Sequence, residues 1–237
     1  MKYIVSSNIN YYKNTYTPLI TSLIDCGIDP KDILMVVGGC FEDSVLENLL
    51  DINIVPALYN SFDLTGLIYA AENSEKFLDT NYFLLHDTCL VGTAFKKLSE
   101  QIEEGTPIRT LTQGLSMNIG MYSLQALNEN RENLSKLKYY PQTEAELQQV
   151  KEIFVLNEDI IFRLYQNYYQ KNSYIKTHPE AVTVLELKER FKKPAYQEYF
   201  NTLENSTVKR LIGYSPSLDF YKFQANWKWD STWKIGV

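Results

Sequence analysis

Histidine and cysteine are scarce in this chain: His86 and His178 are the only histidines, and Cys26, Cys40 and Cys89 the only cysteines, among 237 residues. Three widely spaced cysteines build neither a disulfide framework nor a Cys/His metal motif, so a reducing cytoplasmic setting is expected. Positive charge is short as well. Lys and Arg number 23 against 29 Asp and Glu, a net charge of -6, which argues against the basic face of a general nucleic-acid binder. No run approaches the roughly 18 apolar residues of a membrane span. The opening MKYIVSSNINYY turns polar where a secretory signal would be apolar. Internal repeats and low-complexity tracts are also missing.

What is present is an ordinary globular composition, 45% hydrophobic and 22% charged, at a length that suits one large domain with a sizeable core. Aromatic residues are the unusual excess, 14% of the chain with 18 tyrosines. Such a load serves sugar stacking, an interface or a Tyr-rich core, and composition leaves all three open.

Short apolar runs alternate with helical patterns through the first half. Lys2–Ser6 reads as a buried strand followed by a polar loop over 7–15, and Pro18 as the first position of a helix reaching Cys26. Ile33–Val37 reads as a strand and Phe41–Leu50 as a helix. Ile52–Ala57 is a third strand, Asn60–Ala71 a helix, and Tyr82–Leu85 a fourth strand. Ala94–Glu104 is helical, while Ile108–Leu111 and Met117–Tyr122 are strands. Helical spacing then dominates, over Leu124–Leu137, Glu144–Val155, Glu158–Lys171 and Val182–Phe191, before an aromatic tail carrying Trp227, Trp229 and Trp233. The pattern predicts an α/β fold with a mainly parallel central sheet flanked by helices and a helical C-terminal elaboration. Residues 1–170 form the expected α/β catalytic region, and 171–237 a helical and aromatic extension packed on the same domain.

In an open parallel sheet, ligands bind beyond the carboxyl ends of the strands. That rule selects the loops Ser6–Asn10, Gly38–Cys40, Asn60–Asp63 and His86–Cys89. The last is the most informative, because an apolar strand runs directly into His86-Asp87-Thr88. An imidazole and a carboxylate held there can bind a divalent cation; a turn or helix cap is the structural alternative. Cys89 beside His86 lacks an orienting third group and is not expected to act as a nucleophile.

The order strand, YFLLHDTC, the Gly-bearing segment Ser116–Gly120 and then Asn157-Glu158-Asp159 resembles the GT-A-type nucleotide-sugar glycosyltransferases over roughly residues 1–165. Those enzymes place an Asp-x-Asp motif at a mid-domain strand end; here His86-Asp87-Thr88 is a degenerate counterpart with one carboxylate. The resemblance implies transfer of a sugar from a nucleotide-diphosphate sugar to a glycan or other hydroxyl acceptor. It implies a manganese or magnesium ion at Asp87 and His86, with His178 from the C-terminal region completing the shell. It also implies that Ser6, Ser7, Asn8, Asn60 and Asp63 line the nucleotide, and that Asp159 or Glu158 is the general base for the acceptor hydroxyl. Each has a structural counterpart: a polar loop, an N-cap at Asp63, and acidic first-turn residues with an Asp159–Arg163 pair. A loose attachment to a membrane bearing a lipid-linked acceptor is compatible with this reading.

Two other functions compete. A nucleotidyltransferase requires a glycine-rich basic loop after the first strand, and Ser6–Asn10 has neither glycine nor a basic residue. A non-catalytic nucleotide-sugar or carbohydrate binder on the same scaffold is favoured by the single aspartate of the motif.

Overall fold

The structure, a computed structural model, describes residues 1–76, 81–102, 108–111, 118–156, 174–175, 184–205 and 210–224. Its strands are β1 (Lys2–Asn8), β2 (Ile33–Gly38), β3 (Asn53–Ala57), β4 (Asn81–His86), β5 (Cys89–Val91), β6 (Ile108–Leu111), β7 (Gly120–Ser123), β8 (Tyr174–Ile175), β9 (Arg210–Ser215) and β10 (Phe220–Gln224). Seven of them form one sheet in the order β3-β2-β1-β4-β7-β6-β8. β3, β2, β1 and β4 run parallel, β7 is antiparallel to both β4 and β6, and β8 is parallel to β6. The mainly parallel α/β sheet expected from the alternating pattern is present.

The central strands are apolar throughout because both of their faces are buried, and successive side chains alternate between two cores. Tyr3, Val5, Met35, Val37, Phe83 and Leu85 enter one core with Leu19, Ile20 and Leu23 of α1 (Tyr12–Asp25) and Phe95 of α3 (Phe95–Glu100). Ile4, Leu34, Val36, Tyr82 and Leu84 enter the other with Leu67 and Ile68 of α2 (Thr65–Glu72) and Leu127 of α4 (Leu124–Glu129). Each such side chain contributes about 2 kcal/mol relative to exposure. Leu134 of α5 (Arg131–Ser135) and Val150 of α6 (Glu144–Leu156) close this second core. Pro56 is tolerated in β3 because that strand lies at the end of the sheet, where a missing amide hydrogen breaks no ladder.

A second, antiparallel sheet, β5-β10-β9, begins two residues after β4 ends. The Asp87-Thr88 turn is therefore the junction between the two sheets. The C-terminal elaboration contains the helix expected over 182–191, as α7 (Val184–Arg190), and the structure adds α8 (Pro194–Asn205) and the β9–β10 hairpin.

Two expectations fail for identifiable reasons. α1 begins at Tyr12, not Pro18, which sits inside the helix. Tyr12, Tyr16, Leu19, Ile20 and Leu23 form a buried stripe at helical spacing, and its burial outweighs the hydrogen bond the proline removes. The segment over 41–50 is not a helix. Its backbone is held by the same tyrosines: Glu47 N–H donates to Tyr12 Oη at 3.3 Å and Leu50 N–H to Tyr16 Oη at 3.0 Å. β7 starts at Gly120, three residues later than expected, and Met117 lies outside the described residues, as do the expected helix over 158–171 and the three tryptophans of the tail. Part of the tyrosine excess is a core feature, with Tyr3, Tyr12, Tyr82, Tyr122 and Tyr221 almost fully buried.

Candidate functional site

The parallel register carries Asn8, Gly38, Ala57 and His86 to one end of the sheet. The loops selected by the strand-exit rule meet there. Three of the candidate residues are spent on local structure. Ser6 Oγ accepts from the amide of Gly66 at 2.9 Å, drawing the start of α2 onto β1. The approach is so close that a Cβ on Gly66 would lie 2.8 Å from both Ile4 Cγ2 and Ser6 Oγ. Asn8 Oδ1 accepts from Asn10 N–H at 3.0 Å, and Asn60 Oδ1 from Phe62 N–H at 3.2 Å, each stabilising a turn. Asn60 also packs against Gly39, whose φ of +75° requires glycine at that exit.

Ser7, Asp63, His86 and Asp87 are brought together. Ser7 Oγ donates to Asp87 Oδ2 at 2.7 Å. Asp63 does not cap α2: it lies in the single 3-10 turn Phe62–Leu64, and the positions before each helical segment make no side-chain cap. Its carboxylate instead sits 3.2 Å from His86 Nδ1, out of line with a hydrogen bond, so both imidazole nitrogens of this 1%-exposed histidine lack a partner among the described residues.

The second sheet contributes a residue that no strand-exit rule selects. Lys222 in β10 pairs in register with Cys89, and the next amide, Phe223 N–H, donates to the Thr88 carbonyl at 2.9 Å. The Lys222 ammonium donates to the Thr88 hydroxyl, although the residue is only 7% exposed. Burial first, and then this cation, hold His86 well below its ordinary pKa, so the imidazole is neutral. Burial raises the Asp87 carboxyl, opposed by the Ser7 hydrogen bond and Lys222. The buried Cys89 thiol is pushed up to about 12, which suits packing and not nucleophilic attack. Tyr11, at the entry to α1, is pushed up to about 12 by burial and by the nearby charges of Glu144 and Asp87, which places its phenol at the same end of the molecule.

Of the expected cation ligands, His86 and Asp87 lie within the described residues. Among the described residues no group of three His, Cys, Asp or Glu side chains converges as a metal site. Asp87 is engaged by Ser7, His86 is turned inward against Asp63, and an ammonium already occupies the third residue of the turn. Among the described residues, Asp87 and His86 do not by themselves form a divalent-cation site. His178, Glu158 and Asp159 lie outside the described residues.

One signal is shared by the whole end of the sheet. The buried side-chain atoms without a hydrogen-bond partner among the described residues are Asn10 Oδ1, both nitrogens of His86, Thr110 Oγ1 and Asn118 Oδ1. Thr110 pairs with Gly120, Gly120 also pairs with Leu84, and Asn118 lies two residues before it, so all four residues belong to the end that carries Asp87. Unpaired buried polar atoms are rare because each forfeits its hydration, and their concentration at one place marks where a polar ligand or water completes the structure. Thr110 and Lys222 were not selected from the sequence. The available signal for Lys222 was a lone cation inside the aromatic run FYKF.

No protein-family model matches the chain, and no curated protein matches it in sequence. Several solved structures align. S. aureus TarS 1–349 does so at 14% identity and a TM-score of 0.35, over 86% of this chain and 79% of that one. The same TarS segment in complex with UDP aligns at 14% identity and 0.36, over 88% and 67%. The apo-form glycosyltransferase GlyE of Streptococcus pneumoniae TIGR4 aligns at 9% and 0.34, over 81% of this chain and about half, 51%, of that one. Likenesses this distant carry nothing about substrate or activity.

Proposed function

We propose that this chain is a glycosyltransferase that moves a sugar from a nucleotide-diphosphate sugar to a hydroxyl acceptor such as a glycan. The observation that carries this reading is the set of buried polar atoms, unpaired among the described residues, at the end of the sheet that bears the Asp87 turn. A nucleotide sugar offers what such a set lacks: hydroxyls that both donate and accept, joined to an anionic diphosphate. A carboxylate accepts only and suits hydroxyl donors, whereas an ammonium donates only and suits phosphate oxygens. Asp87 and Lys222 divide those tasks at one turn.

In the reaction, the acceptor oxygen bonds to the anomeric carbon as the bond from that carbon to the diphosphate oxygen breaks. The electron pair leaves with the nucleoside diphosphate, and the acceptor proton passes to a carboxylate, for which Asp159 and Glu158 are the candidates. Ser7 orients Asp87, and the neutral His86 stands behind the turn as a hydrogen-bonding group without charge. A direct displacement of this kind inverts the anomeric configuration.

The test is slow hydrolysis and ligand-induced stabilisation across a panel of nucleotide sugars, since a ligand that binds only the folded chain raises its melting temperature. At least one donor is expected to stabilise and to be hydrolysed, with hydrolysis lost in Asp87→Ala. A panel in which no donor binds, with or without manganese, overturns the reading. The single carboxylate of the motif favours a second reading, donor binding without turnover; calorimetric binding with no transfer to a wide acceptor set selects it.

A further inference from the structure

The Lys222 side chain is a buried cation with unused capacity. An ammonium has three donors, and among the described residues Lys222 commits one, to the Thr88 hydroxyl, and none to a carboxylate. A cation withdrawn from water is costly unless an anion meets it. The neighbours of Lys222 along β10, Phe220, Tyr221 and Phe223, are buried aromatics. The position is held firmly: Lys222 pairs with Cys89, and Phe223 N–H fixes the Thr88 carbonyl. The field of the ammonium falls on His86, Asp87 and Cys89 together, so its charge is directed at the junction of the two sheets. There the carboxylates needed for a metal fail to converge among the described residues.

We propose that Lys222 supplies the positive charge that receives the diphosphate of the donor, at the place where a divalent cation is expected, so that nucleoside diphosphates bind this chain without metal. The inference rests on the nucleotide-sugar reading above and names the group that serves it. Thr88 is the positioning residue: its hydroxyl holds the ammonium at the turn, and among the described residues two of the ammonium hydrogens remain to donate. A lysine presents a compact point charge, which suits the distributed charge of a diphosphate as it departs.

Calorimetry with ADP, CDP, GDP and UDP and their nucleosides, in excess EDTA and again with manganese, tests this. At least one diphosphate is expected to bind in EDTA. Lys222→Gln should weaken it about tenfold or more, the loss of one charge-assisted hydrogen bond, and leave the affinity of the matching nucleoside unchanged. Lys222→Arg should retain most of the affinity. Should Lys222→Gln fail to fold, Thr88→Val carries the test, with a smaller loss confined to the diphosphate. Diphosphate binding that appears only with manganese, or that survives Lys222→Gln or Thr88→Val undiminished, overturns the role of Lys222 and leaves the glycosyltransferase reading standing. Absence of diphosphate binding in both conditions overturns both.

Discussion

Asp87 and Asp219 flank the same small sheet, and each has a cation nearby, yet they are built in opposite ways. Asp219 is closed. Arg190 lies 2.7 Å from its Oδ1 and donates to Oδ2 at 2.8 Å, Tyr221 Oη donates to Oδ1 at 3.1 Å, and Ala94 N–H donates to Oδ2 at 3.1 Å. The backbone bends to make room: Asp219 has a φ of +54°, and a Cβ on Gly92 would lie 2.1 Å from Asp219 Oδ2. Asp87 is open. Among the described residues one side-chain hydrogen bond, from Ser7, reaches its carboxylate, and the neighbouring Lys222 bonds Thr88 instead. A carboxylate surrounded by donors ties α7, β10 and the start of α3 together; one that no cationic side chain bonds, among other buried atoms unpaired among the described residues, costs stability and keeps its capacity for a ligand.

The largest expected effect lies on the closed side. Asp219→Ala removes three donors' common acceptor and leaves Arg190 and the Ala94 amide unanswered, so unfolding should become easier by about 3 kcal/mol, toward the low end for a buried pair because Arg190 is 44% exposed. Gly92→Ala should cost a comparable amount, since the new methyl displaces the carboxylate. Urea midpoints measure both. A change in either below about 0.5 kcal/mol would show that Asp219 is no more structural than Asp87, and the contrast would dissolve.

Next in size is the pH dependence set by His86. Its folded pKa is depressed, so the unfolded chain takes up the proton first. The stability that the neutral imidazole contributes is present above the ordinary value of 6.5 and is lost as pH falls below it, toward the depressed folded value. One such group gives a slope of up to about 1.4 kcal/mol per pH unit. His86→Gln removes that slope. Urea midpoints of wild type and variant at pH 7.5, 6.5 and 5.5 should therefore converge or cross as acid is added; parallel profiles would mean that the histidine is charged or hydrated in the folded chain.

The two sides also differ in how much of them the sequence discloses. The central strands were readable because two-sided burial writes an uninterrupted apolar run, and Ile33–Val37 and Tyr82–Leu85 appear almost unchanged as β2 and β4. The turn after YFLL was readable for the same reason, because polar residues at the end of such a run stand at a sheet edge. The start of α1 was hidden by Pro18 and by tyrosines that look polar in sequence but bury their rings. Lys222 was hidden by distance: Thr88 and Lys222 are 134 positions apart, and only the pairing of β5 with β10 joins them. Periodicity reports which face a residue occupies, not which remote strand arrives beside it.

The smallest expected effect is on the open side, and its sign is the informative part. Burial holds the Asp87 carboxyl above its ordinary value of 3.8, so its favourable contribution is present below that value and is lost as pH rises through the raised folded one. At neutral pH the ionised side chain is thus a net cost to the fold. Asp87→Asn removes the charge, and the asparagine oxygen still accepts from Ser7. Stability at pH 7 should stay level or rise by up to about 0.5 kcal/mol, and the difference should shrink as pH approaches 3.8. Nucleotide-sugar hydrolysis should be lost in the same variant. That opposite movement of stability and activity separates a carboxylate kept for a ligand from one kept for the fold; a destabilisation like that of Asp219→Ala would place Asp87 with the structural pair.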